Sequence, residues 1–166
     1  PGGGDYDMND VIVEYNRAVS FDKKSQVTKI VDTFTPVHDG AVFANAFAYQ
    51  VDKGQFGKMT FSATTEGIHT ESATSSIIVC PNVKQAIQKV YTRTREVTRG
   101  PFNKKDLKSY NPYIIVKYAE GQKGRTEVHL PKHEVTSLAD LSLAGTLKDA
   151  YYIDNDGAYP FAIDIP

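Results

Sequence analysis

The chain has 166 residues, 19 basic against 20 acidic, for a net charge of -1. That length fits one domain able to bury a sizeable core, and the even charge balance, with no Lys/Arg block, excludes the electrostatic footprint of a nucleic-acid binder. The single cysteine, Cys80, excludes an intrachain disulfide and a cysteine-built zinc site, and no apolar stretch approaches the roughly 18 residues of a membrane-spanning helix.

Gly4-Asp5-Tyr6-Asp7-Met8-Asn9-Asp10 opens the sequence and runs directly into Val11-Ile12-Val13-Glu14-Tyr15. Asp5, Asp7 and Asn9 are spaced two apart, so in a tight loop their oxygens can converge on one point, and Asp10 closes the loop. Converging hard oxygens suit Ca²⁺, which takes six to eight oxygen ligands at roughly 2.3–2.6 Å. The loop is no EF-hand, because Asp10 and Asn16 stand where that motif needs Gly and a bidentate Glu. The same residues would also suit an Asx-rich turn. Three acidic groups crowded ahead of an apolar strand favour the metal, with Asp5, Asp7, Asn9 and Asp10 as ligands and Ca²⁺ as the only cofactor expected. Glu127, Asp154, Asp156 and Asp164 are reserve oxygen donors, although Asp154-Asn155-Asp156-Gly157 reads first as a turn.

Val11, Val13 and Tyr15 alternate with Ile12, Glu14 and Asn16, the period of a strand. After the Asp22–Ser25 turn, residues 26–35 form a second strand, paired with the first as a hairpin, and Pro36-Val37-His38-Asp39-Gly40 punctuates it. Residues 41–51 place small side chains on one face and Phe43, Phe47, Tyr49 and Val51 on the other, as a packed sandwich requires. Lys58–Ala63 and Ile77–Val79 read as strands separated by a polar stretch from Thr64 to Ser75, and Cys80 as a buried thiol. Val83, Ile87 and Val90 have helical spacing while Val90–Thr94 is β-rich, so a short helix and a strand fit equally. Tyr113–Tyr118 is a near-continuous apolar run, expected as a central strand. Glu127–Pro131 returns after a Gly121–Gly124 loop, and Ser137–Lys148 suits a short helix capped by Ser137. Val11, Val13, Ile114, Val116 and Val128 are expected in one buried core. The fold class expected is an all-β, jelly-roll-like β-sandwich with one or two short helices, a single domain over residues 1–166. Pro1, not Met, comes first, which points to a piece of a longer protein.

The opening stretch resembles the G-D-Y-D-[FM]-N-D-V-V-V-[DE]-Y start of LruC-type domains of bacterial surface and outer-membrane lipoproteins. Asp39-Gly40-Ala41 with Asn45-Ala46-Phe47, Asn111-Pro112-Tyr113-Ile114, Glu127-Val128-His129-Leu130-Pro131 with Thr136, and Pro160-Phe161-Ala162-Ile163 with Ile165-Pro166 are similar to later blocks of that family. Ala46 departs from a usual Gly, and Phe161 from a usual Trp. The resemblance implies an exported protein at the cell surface, outer membrane or periplasm of a Gram-negative bacterium. It implies no reaction, the family being of uncharacterised function.

Catalytic motifs are missing from the sequence: no G-x-S-x-G, S-x-x-K, Walker or G-x-G-x-x-G pattern occurs. His129 and His133 are four apart, but Pro131 between them denies the helix that an H-E-x-x-H site needs. Glu14, Glu66, Glu71, Glu127 and Glu134 could supply the paired carboxylates of a glycosidase, and Tyr151, Tyr152 and Tyr159 could stack on sugar rings. The expectation is a non-enzymatic, calcium-binding surface module that adheres or binds a surface glycan or protein ligand. The alternative is a carbohydrate-active enzyme domain or its accessory glycan-binding module.

Overall fold

A computed structural model describes residues 10–63, 68–109, 111–121, 123–130, 133–142, 163 and 165. Nine strands are placed among them: β1 (Val11–Phe21), β2 (Val27–Asp39), β3 (Ala46–Gln50), β4 (Met59–Ala63), β5 (His69–Glu71), β6 (Ser76–Cys80), β7 (Tyr91–Val97), β8 (Asn111–Ile115) and β9 (Glu127–His129). A four-stranded sheet runs β1-β2-β7-β4 and a five-stranded sheet β5-β6-β3-β8-β9. Every pairing is antiparallel. The chain is thus the all-β sandwich expected, with one α-helical turn among the described residues, α1 (Lys53–Phe56), started by Asp52, whose carboxylate accepts the Gly54 and Gln55 N–H groups.

Alternation decides the faces. Phe47 and Tyr49 of β3 turn toward the other sheet, where the Phe34 ring of β2 lies 5.4 Å from Phe47 and 5.0 Å from Tyr49. Val51, Ile77, Val79, Val83 and Tyr91 complete that core. Ala46 and Ala48, one residue out of phase, face away from it and pack with Ile78, Tyr113 and Ile115. The middle strands β3 and β6 of the five-stranded sheet are therefore covered on both faces, and β6 has no exposed residue. The β1–β2 hairpin forms as expected.

Several elements differ from the sequence reading. β2 runs on through Pro36 to Asp39, because a bulge that skips Val37 absorbs the missing N–H at a point where only β1 is alongside. β3 is shorter than residues 41–51, and Phe43 falls in the loop before it. β5 arises inside the polar stretch, where its short edge pairs with β6. The ambiguous middle resolves into a 3-10 turn, Val83–Gln85, followed by β7. β8 lies one strand from the sheet edge. Val11, Val13, Ile114, Val116 and Val128 are half-buried instead of buried. Val11 and Val13 belong to edge strand β1, which has a neighbour on one side only, and Ile114 and Val128 sit at the β8–β9 margin. Residues 137–142 of the expected second helix are turns and bends, and the remainder of that segment lies outside the described residues.

Candidate functional site

The outer face of the five-stranded sheet gathers its polar residues by register. Gln50 pairs with Asn111, Tyr113 with His129, and Ile115 with Glu127, so residues far apart in sequence form rows on one face. The small side chains of Ala46 and Ala48 leave room for the larger groups of β8 and β9. Tyr113 and His129 stack in that space, ring centroids 4.5 Å apart and planes within 7°.

Glu127 and His129, both 0% exposed, hold the centre of a closed network. Glu127 Oε2 lies 2.9 Å from His129 Nε2 and accepts the Thr136 N–H at 2.8 Å. Its Oε1 accepts the Thr136 hydroxyl at 2.6 Å and makes a 2.6 Å ion-pair contact with Arg125 Nε. Arg125 continues outward to Glu71 Oε1 at 2.7 Å and donates to the Tyr113 hydroxyl at 2.8 Å. His129 Nδ1 lies 2.7 Å from Asn111 Oδ1, whose amide nitrogen donates to the Glu134 carbonyl and to Gln50 Oε1. Because Asn111 Oδ1 can only accept, Nδ1 is the protonated ring nitrogen that donates to it. Burial on its own would raise the Glu127 carboxyl, but the bonds from His129 and Thr136 and the charge of Arg125 outweigh it and hold the group below its ordinary value. Burial lowers the His129 imidazole, with Glu127 opposing. The Tyr113 hydroxyl is pushed well up by burial.

Beside this network an open groove of about 730 Å³ crosses the end of the sheet. Gln50, Thr74, Ser75 and Asn111 contribute amides and hydroxyls, and Asp52, Lys53, Lys108, His133 and Glu134 contribute charges of both signs. Lys108 Nζ stands 3.8 Å from Asp52 Oδ2. Such a lining offers donors and acceptors to a polar, uncharged ligand, and its floor is fixed from beneath through Asn111.

A second buried charge cluster lies between the sheets. Asp32 of β2 is 0% exposed and meets Arg95 Nη2 at 2.6 Å, Arg17 Nε at 2.7 Å and the Tyr49 hydroxyl at 3.3 Å. Its partners come from β1, β3 and β7, so it ties both sheets together. Cys80 is buried, as expected, and its thiol is pushed up to about 11 chiefly by burial, which leaves it little nucleophilic thiolate at neutral pH.

Of the expected metal ligands, Asp5, Asp7 and Asn9 lie outside the described residues, as do Asp154, Asp156 and Asp164 and the tyrosines Tyr151, Tyr152 and Tyr159. Asp10 is exposed at the bend before β1, and its carbonyl accepts the Ala41 N–H at 3.3 Å. Glu127, a reserve donor in the sequence reading, is instead engaged by Arg125, His129 and Thr136. Among the described residues, no three His, Cys, Asp or Glu side chains are grouped to hold a metal ion. Sequence reasoning missed Arg125 and Thr136 as partners of Glu127, and Asn111 as the partner of His129. Only the shared parity of Glu127 and His129 signalled a common face. It also passed over Asp39, read as turn punctuation, whose Oδ1 accepts the Ala41 N–H at 3.0 Å while its Oδ2 is enclosed with no hydrogen-bond partner. Burial raises the Asp39 carboxyl.

A family model described as a domain of unknown function, DUF4842, matches residues 25–166. No curated protein matches the chain.

Proposed function

We propose a function from the premise that this chain belongs to the DUF4842 family: it is a non-catalytic, calcium-binding module of LruC type, displayed by a Gram-negative bacterium, that holds a surface glycan or protein ligand. One observation carries the reading. Glu127 and His129, the pair best suited by type to acid–base work, are fully enclosed, and their polar atoms meet Arg125, Thr136, Asn111 and each other. A general acid or base must reach the proton it moves, and this pair braces the sheet under the groove instead. The groove itself, lined by amides, hydroxyls and balanced charges, suits a polyhydroxylated ligand better than a charged one; the LruC likeness supports export, and the spacing of Asp5, Asp7, Asn9 and Asp10 supports calcium binding.

Two measurements test the reading. Thermal melts of the full chain in 1 mM Ca²⁺ and in chelator should differ. A ligand present at a hundred times its dissociation constant stabilises by about 2.7 kcal/mol, here a rise on the order of 5 °C. Superimposable curves, with no calcium heat in calorimetry, would remove calcium from the proposal. A polysaccharide panel should be bound without turnover, and hydrolysis lost on Glu134→Gln at the groove rim would overturn the non-catalytic assignment.

A further inference from the structure

Three of the four sheet margins among the described residues are short: β4 has five residues, β5 three and β9 three. The fourth is β1, an 11-residue strand that pairs with β2 on one side and, among the described residues, with no strand on the other. Folded proteins guard a long open edge with lysines, with proline or with a bulge that twists it away. β1 contains neither Lys nor Pro. The extra residue of each bulge beside it, Val37 and Thr28, belongs to β2, so the backbone of β1 stays regular from Val13 to Ser20. Apolar side chains are also exposed along it, those of Ile12, Tyr15 and Phe21. An edge of this length and character is a template for another strand.

We propose that the occupant is the β1 strand of a second copy of this chain, paired antiparallel about a two-fold axis at Asn16, so that two four-stranded sheets join into one. Asn16 is the midpoint of β1, and this register alone uses the whole strand. A two-fold contact sets each residue against its mirror position, and in β1 the mirror positions agree in kind. Tyr15 meets Arg17 of the second copy, a ring beside a guanidinium. Val13 meets Val19, and Val11 meets Phe21, which covers the apolar groups the edge leaves open. Glu14 meets Ala18, so no like charges oppose each other. Moving the axis to Arg17 would set two guanidinium groups face to face. Val13, Tyr15, Arg17 and Val19 share one face of the strand, so that row continues unbroken from one copy into the next.

Sedimentation equilibrium on the full chain should find a reversible dimer. Ala18 is exposed and faces Glu14 of the second copy, so a charge placed there reads the register without entering the core. Ala18→Glu sets like charges together on both sides of the axis and should weaken association by about tenfold, whereas Ala18→Lys sets opposite charges together and should strengthen it. Asn16→Cys should form a disulfide across the axis on mild oxidation, because directly opposed residues lie about 4.5–5.5 Å apart. Glu14→Cys should not, since its twin lies four residues further along, about 13 Å away. Cys80 is buried and does not compete. A wild-type chain that stays monomeric up to its solubility limit overturns the proposal. So does a dimer in which Ala18→Glu and Ala18→Lys act alike, or in which Asn16→Cys fails to cross-link. Should the Ala18 variants fail to fold, the two cysteine variants decide.

Discussion

Glu127 is a residue whose chemistry is decided entirely by its neighbours. Its charge is stable inside the protein because Arg125, His129 and Thr136 surround both oxygens. Removing one partner of a buried pair leaves the other charge uncompensated, at a cost of about 3 kcal/mol or more. Glu127→Gln should accordingly lower the melting temperature by about 10 °C, read in a thermal melt at neutral pH. The carboxyl is held below its ordinary value in the fold, whereas in the unfolded chain it titrates near about 4.3. The unfolded chain thus takes up protons first on acidification, so the stabilisation is complete above about pH 4.3 and fades as pH falls through the folded value. Melts at decreasing pH should show the wild type losing more stability than Glu127→Gln, so that the two curves approach each other. Parallel curves would mean that Glu127 is not ionised in the fold.

The β1–β2 hairpin shows how an element's ends are specified by local chemistry. Asp22 Oδ1 accepts the N–H groups of Lys24 and Gln26 at 2.8 and 2.9 Å, and Ser25 closes the turn in the left-handed region at φ 59°. That conformation crowds the Cβ of any L-residue other than glycine. Ser25→Gly should stabilise the hairpin by up to about 1 kcal/mol, and Asp22→Ala, which orphans two donors, should destabilise it by about 1 kcal/mol. Amide hydrogen exchange along β1 and β2 would register both, with protection rising in the first variant and falling in the second. The same change of protection in both variants would remove the turn as the source.

Across the whole molecule, two sheets are joined by an aromatic centre and one buried charge cluster. Phe34 of the four-stranded sheet is 1% exposed and contacts Phe47 and Tyr49 of the other. Tyr49 also reaches Asp32, which Arg95 and Arg17 neutralise. Phe34→Ala opens a cavity at the point where both sheets meet and should cost about 4 kcal/mol, measured as a drop in the urea midpoint with the slope retained. A loss below about 1 kcal/mol would mean that the sandwich collapses around the gap.

Alternation in Val11–Tyr15, the Asp22–Ser25 turn and the small-against-aromatic phasing of Ala46, Phe47, Ala48 and Tyr49 were enough, without coordinates, to predict strands, a first hairpin and a two-sheet architecture. Period-2 patterning states that a strand has two faces, but not what covers each one. Only the tertiary structure shows that Tyr113, Ile115, Glu127 and His129 are buried on the outer face while Val116 and Val128 are half-buried. The sequence likewise named Asp5, Asp7, Asn9 and Asp10 as a candidate cation loop because their donors lie within six residues of one another. Asp32 depends on pairings between distant strands, and the Asp32–Arg95 bond spans 63 positions. A charge's role in a sandwich is set by the residue opposite it in space, and that neighbour exists only once the sheets have formed.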